Sequence, residues 1–181
     1  MKLILTGAQG TGKTTVLNEF EKGGWNIITE VVRKLSKEGI KINEMGDEEG
    51  QTKIFDTYKE LLQCEEYISD RGLTDVAAYT WYLVAEGKIH PSILWEQLAC
   101  IESFFENNQD VVVCYFPIEF PVVDDGVRSI DEDFRKRIDH YIKDILDSRE
   151  IPYITVTGSV EDRVRMINDE ITRVKQCFNA I

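Results

Sequence analysis

The residues of this chain whose types and spacing could do chemistry begin at Gly7. The run Gly7-Ala8-Gln9-Gly10-Thr11-Gly12-Lys13-Thr14 follows a short apolar stretch, Lys2 to Thr6, and leads into an amphipathic one carrying Val16, Leu17 and Phe20. It is the pattern G-x-x-x-x-G-K-[ST] set between a strand and a helix. Consecutive backbone N–H groups can hold a phosphate chain only where the loop curls tightly around it, and glycine permits that curl without a Cβ clash. The helix beginning near Gly12 then turns its positive end toward the anion. Lys13 would reach the β- and γ-phosphates and the Thr14 hydroxyl would hold Mg²⁺, with Gly7, Gly10, Thr11, Gly12 and Thr15 completing the nucleotide-binding set. The expected cofactors are ATP and Mg²⁺. Lys13 supplies the only cation built into the phosphate loop, so its replacement by alanine is expected to remove most phosphoryl transfer and leave melting nearly unchanged.

A second group of reactive residues follows the next strands. Trp25 to Thr29 reads as a strand, with Glu30 at its carboxyl end and Arg33 one turn into the following helix. Ligands of open α/β sheets bind outside the carboxyl ends of the strands, where a second substrate would meet Glu30 and Arg33. A helix dipole accounts for the glutamate but not for the arginine one turn later. Glu65 to Ser69 reads as a weaker strand leading to Asp70-Arg71. An acid at a strand end beside a phosphate loop is the usual second anchor for Mg²⁺, and an adjacent arginine can reach phosphate. Pro117 to Asp131, with two prolines, an Asp125-Gly126 turn and Arg128, is too irregular for a strand and too apolar for a linker. Long structured loops in compact domains are usually functional, and this one is expected to close as a lid over nucleotide.

The remaining chain supplies the frame. Apolar spacing predicts helices over Asp47–Gln63, Val76–Glu86, Pro91–Asn107 and Asp131–Arg149, and a C-terminal helix after Gly158-Ser159. Val111 to Phe116 is a continuous apolar run, as a strand buried on both faces requires, and Ile151 to Thr157 reads as the last strand. Residues 38–50 are polar and glycine-punctuated and read as a mobile loop. Tyr79, Trp81 and Tyr82 are read as core, with base stacking by one of them as the alternative. Arg135, Lys136 and Arg137 lie where a helix dipole disfavours cations, and are read either as ligands of an anion or as a solvated basic face. The alternation of strands and helices predicts a three-layer α/β fold, a parallel sheet of about five strands flanked by helices.

Composition limits the function classes. A length of 181 residues suits one domain, and no apolar run approaches membrane-spanning length. The chain enters its first strand at once, so a cytoplasmic location and no membrane partner are expected. Cys64, Cys100, Cys114 and Cys177 form no metal-binding or paired spacing. A formal charge of −12 opposes non-specific binding to a polyanion, leaving only a local basic field from Lys13, Arg33, Arg71, Arg128 and Arg135 to attract one.

With Gly7 to Thr14, Glu30-x-x-Arg33, Asp70-Arg71 and Asp125-Gly126-x-Arg128 in place, the chain resembles a P-loop kinase over nearly its whole length. It is most similar to the small, phage-type AAA_28 and ribosylnicotinamide-kinase-like group. Deoxynucleoside kinases place a base carboxylate after the second strand and an acid-Arg pair after the third, and Glu30 and Asp70-Arg71 sit at matching points. Polynucleotide kinases carry Asp-x-x-Arg after the second strand, which Glu30-x-x-Arg33 resembles with glutamate in place of aspartate. The resemblance implies one P-loop NTPase domain over 1–181 with a lid at about 117–131. It also implies roles: Lys13 and the loop amides on phosphate, Thr14 and Asp70 on Mg²⁺, Glu30 as base, Arg128 on the transferring group, and Arg33 or Arg71 orienting the acceptor. Glu30 and Asp70 could exchange roles.

The expected activity is transfer of the γ-phosphate of ATP to a hydroxyl of a nucleoside- or nucleotide-type acceptor. One alternative is a phage-type kinase acting on a 5′-hydroxyl or a hydroxymethylpyrimidine within DNA. Another is an ATPase switch, against which stands the absence of a GTPase signature such as N-K-x-D.

Overall fold

The computed structural model describes residues 1–121 and 131–179. Arg128 and most of the expected lid lie outside the described residues; of that segment, Pro117 to Pro121 and Asp131 are described. Five strands form one parallel sheet: β1 (Lys2–Thr6), β2 (Ile27–Ile28), β3 (Tyr67–Asp70), β4 (Val111–Tyr115) and β5 (Tyr153–Thr155), in the order β2-β3-β1-β4-β5. Among the described residues seven α-helices accompany them: α1 (Lys13–Lys22), α2 (Val31–Lys37), α3 (Glu48–Leu61), α4 (Leu73–Ala85), α5 (Pro91–Asn107), α6 (Glu132–Ser148) and α7 (Val160–Asn179).

Alternating side chains divide the core into two layers. Ile4, Tyr67, Val113 and Tyr115 face the larger one, built with apolar residues of α2 to α6. Leu3, Leu5, Ile68, Val112 and Cys114 face the smaller one, closed by Val16, Leu17 and Phe20 of α1 and Ile167 and Ile171 of α7. Burial on both faces explains why the central strands read as unbroken apolar runs.

Several elements differ in extent from the sequence expectation. β2 is an edge strand paired only with β3, through Ile27 and Ile28, so much of the apolar stretch from Trp25 is not strand. β3 begins at Tyr67 and reaches Asp70, which pairs with Leu5 of β1, so the acid is the last residue of the strand. α4 starts at Leu73 because Asp75 accepts from the Gly72 N–H at 2.8 Å, a cap at the helix entry. The polar segment from 38 to 50 holds a 3-10 turn, Asn43–Met45, and the first turn of α3, capped by Asp47 accepting from Gly50 N at 3.0 Å. Asp131 caps α6 in the same way, accepting from Asp133 and Phe134 N–H groups.

The chain lays β1, β2 and β3 on one side and then crosses β1 to place β4 and β5 on the other. That reversal opens a crevice at the carboxyl ends of β1 and its neighbours, where Gly7, Asp70 and Phe116 emerge.

Candidate active site

Gly7 has φ 139°, and a Cβ there would lie 2.4 Å from the Phe116 carbonyl oxygen, so the loop leaves β1 by a path only glycine can follow. Gly12, at φ 89°, precedes α1, and among the described residues no side chain caps that helix, whose positive end faces the loop. Lys13 is buried beneath the loop, its Nζ donating to Gly7 O at 2.7 Å, Ala8 O at 2.8 Å and Thr11 Oγ1 at 3.2 Å.

Two arginines hold the outer side of this loop. Arg135 of α6 is fully buried and donates from Nε to Gln9 O at 2.8 Å and from its terminal nitrogens to Gly10 O at 3.3 Å and Phe120 O at 2.8 Å. Arg163 of α7 donates to Thr11 O at 2.7 Å and Gly158 O at 2.9 Å and pairs with Glu119. Three consecutive carbonyls, of Gln9, Gly10 and Thr11, are therefore turned onto guanidinium groups and away from the cleft. Asp75 fixes the inner end by accepting from Gly7 N at 3.3 Å as well as from Gly72 N. Burial pushes the Asp75 carboxyl above its ordinary range, against the pull of Arg71 and Lys13.

The structure separates the three residues of the basic cluster at the start of α6. Arg135 is buried against carbonyl oxygens and the Glu132 carboxylate, 3.2 Å away, and does not form a solvated face; Lys136 is exposed, and Arg137 pairs with Glu86 at 2.7 Å across the face of Tyr82. Arg163 carried no signal in the sequence, because its partner lies 152 residues away. Asp75 did leave one, in the spacing Gly72-x-x-Asp75 of a helix entry.

Thr14 and Asp70 come together as the motifs predicted, Thr14 Oγ1 donating to Asp70 Oδ2 at 3.0 Å. Asp70 Oδ1 is buried with no hydrogen-bond partner among the described residues, an arrangement that costs free energy unless a cation takes the place of a donor. A hydroxyl and one carboxylate fit Mg²⁺, which keeps several waters and binds through one or two protein oxygens plus substrate phosphate. Among the described residues no group of three or more His, Cys, Asp or Glu could hold a metal by itself, so the metal would enter with phosphate.

The phosphate loop opens onto a cleft of about 390 Å³ bounded on its far side by Phe120 and Pro121. Gln9, Thr14, Asp70 and Arg71 also line an adjoining chamber of about 90 Å³, whose other wall carries Glu30, Arg33 and Asn43. Beyond Arg71 lies an apolar recess of about 40 Å³ lined by Val32, Ile54, Val76 and Tyr79. Glu30, Asn43 and Arg71 have φ of 59°, 54° and 95°, in the region that disfavours residues with a Cβ. Such backbone strain gathers at functional sites. Glu30 Oε2 is 3.0 Å from Arg33 Nε, and the Arg71 guanidinium lies over the Tyr79 ring at 5.2 Å. Burial opposes the charge of Arg71, but Tyr79, Asp75, Tyr58 and Asp70 outweigh it and raise its pKa. Of the aromatic residues on α4, Trp81 stacks on Tyr141 and Tyr82 packs against Phe134, as core residues do. Tyr79 lines the recess and donates to Gln9 Oε1 at 2.7 Å, tying α4 to the phosphate loop.

Known structures share this architecture. Deoxyadenosine kinase from M. mycoides, solved with dCMP and a flexible dCDP bound, is 18% identical with a TM-score of 0.64, the match covering 96% of this chain and all of that one, 100%. YorR protein from Bacillus subtilis, in complex with phosphorylated GDP, is 16% identical with a TM-score of 0.60, covering 95% of this chain and 96% of that one. NadR protein in complex with NR is 14% identical with a TM-score of 0.64; there the match covers 87% of this chain but 46% of that chain. No curated protein sequence matches significantly. The parallel five-stranded sheet flanked by helices is the P-loop NTPase fold of these neighbours, as the sequence predicted. With the family model described as an AAA domain matching residues 2–163, the chain belongs to the AAA_28 family.

Proposed function

We propose that this protein is a kinase that transfers the γ-phosphoryl group of ATP, with Mg²⁺, to a hydroxyl of a free nucleoside- or nucleotide-type acceptor. The observation that carries this reading is the common wall: Gln9, Thr14, Asp70 and Arg71 line both the phosphate cleft and the smaller chamber holding Glu30 and Arg33. Two substrates lodged on either side of that wall would meet at the terminal phosphate, and phosphoryl transfer asks for little beyond such positioning and charge neutralisation. The dCMP and dCDP of the deoxyadenosine kinase structure and the phosphorylated GDP of YorR support an acceptor of that class.

In this reading each site residue has a role. Lys13 exchanges its bonds to the loop carbonyls for the β- and γ-phosphates. Thr14 and Asp70 hold Mg²⁺, which when bound neutralises phosphate charge. Glu30 accepts the proton of the attacking hydroxyl as the new P–O bond forms and the bond to the ADP oxygen breaks. Arg33 keeps Glu30 turned toward the chamber, and Arg71 orients the acceptor. Arg128, from the segment outside the described residues, keeps its proposed role on the transferring group.

The chamber of about 90 Å³ and the formal charge of −12 both favour a small acceptor over DNA. The test is labelled phosphate transfer from ATP to free nucleosides and nucleotides, 5′-hydroxyl oligonucleotides and hydroxymethyluracil DNA. Labelled small acceptors support the reading. Labelled DNA alone would move the acceptor into the polymer, and hydrolysis without any labelled acceptor would make the protein an ATPase switch.

A further inference from the structure

Of the large apolar residues exposed among the described residues, Met45, Leu61, Trp95 and Phe120, it is Phe120, 44% exposed, that lines the phosphate cleft, together with Gly12, Thr15 and Pro121. It is also held firmly. The Arg135 guanidinium donates to the Phe120 carbonyl at 2.8 Å, and the Arg163 guanidinium lies 5.1 Å from the ring centroid. Arg163 is fixed in turn by Thr11 O, Gly158 O and Glu119, with the buried ring of Phe116 5.4 Å away. The ring is therefore set against the phosphate loop by the same two arginines that turn the loop carbonyls outward.

A nucleoside triphosphate bound with its terminal phosphates at Lys13 has its α-phosphate near the start of α1, so its base must emerge past Thr14 and Thr15. On the side shared with the acceptor chamber the cleft is walled by Asp70 and Arg71, whereas Phe120 and Pro121 line the phosphate cleft and not that chamber. We infer that Phe120 is the platform on which the nucleobase of the phosphate donor stacks, with a purine ahead of a pyrimidine because its larger face covers more of the ring. An aromatic face left in water beside a nucleotide cleft gains by stacking, and the guanidinium behind it resists displacement of the ring. The inference deepens the kinase reading and rests on it for the identity of the ligand.

Calorimetric titration with Mg-ATP and with Mg-tripolyphosphate separates the base from the phosphates. Phe120→Ala should weaken ATP binding by about 5- to 150-fold while changing tripolyphosphate binding by less than about 2-fold. Phe120→Trp should keep ATP affinity near that of the wild type, and its added indole emission, relative to wild type, should be quenched by ATP but not by tripolyphosphate. Unchanged ATP affinity in Phe120→Ala overturns the platform, as does an equal loss for both ligands, which would mean that the ring only supports the loop. A wild type that binds tripolyphosphate but ATP no more tightly defeats the platform and spares the phosphate site. A wild type that binds neither defeats the nucleotide reading itself.

Discussion

Thr14 Oγ1 and Asp70 Oδ2 lie 3.0 Å apart, joining the first turn of α1 to the end of β3, while Asp70 Oδ1 stays buried without a hydrogen-bond partner among the described residues. Under the proposed function, this is the oxygen a cation would take. Asp70→Asn keeps the hydrogen bond with Thr14 but removes the charge, so the Mg²⁺ concentration needed for half-maximal activity should rise by about 10-fold or more. A Mg²⁺ titration of turnover in wild type and variant checks this, and an unchanged midpoint would exclude Asp70 from the metal site.

Glu30 is the second carboxylate lining the chamber, on the wall that the phosphate cleft does not share. Glu30→Gln should lower kcat by about 10² to 10⁴ with ATP affinity little changed. If Glu30→Gln is nearly silent and Asp70→Asn produces that pattern instead, the two acids have exchanged roles.

Lys13 binds its own loop as well as the expected ligand, which alters the expectation for Lys13→Ala. Besides abolishing transfer, the substitution strips donors from the Gly7 and Ala8 carbonyls, so it should cost about 1 to 3 kcal/mol of stability. Denaturant unfolding without nucleotide measures this directly; an unchanged midpoint would show that water replaces the ammonium.

Arg135 should matter to nucleotide binding without touching nucleotide. Arg135→Met leaves the Gln9, Gly10 and Phe120 carbonyls without their donor, costing about 1 to 3 kcal/mol for each that stays dry. Arg135→Lys keeps the charge but not the fork, so it should restore only part of the stability and of the ATP affinity. Full recovery by lysine would reduce the role of Arg135 to charge alone.

Asp75 gives a pH signature of opposite sign to that of a salt-bridged carboxylate. Its folded pKa is raised by burial above the ordinary 3.8, so the folded state holds the proton more tightly than the unfolded chain. Its contribution to stability is therefore fully present below 3.8 and is lost as pH rises from there through the folded pKa. Asp75→Asn removes the titration, and the stability of the variant relative to wild type should climb across that window by about 1.4 kcal/mol per pH unit. Unfolding curves of both proteins from pH 3 upward test it; a flat difference would mean that Asp75 titrates normally.

Local chemistry made much of this protein legible in its sequence. A phosphate loop is a contiguous backbone device, and Gly7, Gly12 and Lys13 must stand at fixed spacing for it to form, so Gly7 to Thr14 identified the fold and the nucleotide side together. The strand-end positions of Glu30 and Asp70 followed from the rule that parallel strands expose their carboxyl ends to ligand, and both residues line the chamber. Tertiary structure alone decided what surrounds them. Arg135 and Arg163 reach the loop from helices more than a hundred residues away along the chain, and no spacing rule distinguishes a guanidinium bound to carbonyls from one in water. The strained backbone at Glu30, Asn43 and Arg71 likewise depends on packing that holds each residue against its own preference. Sequence pattern records periodicity and local geometry, whereas the partners of a buried charge are set by which helices the sheet brings side by side.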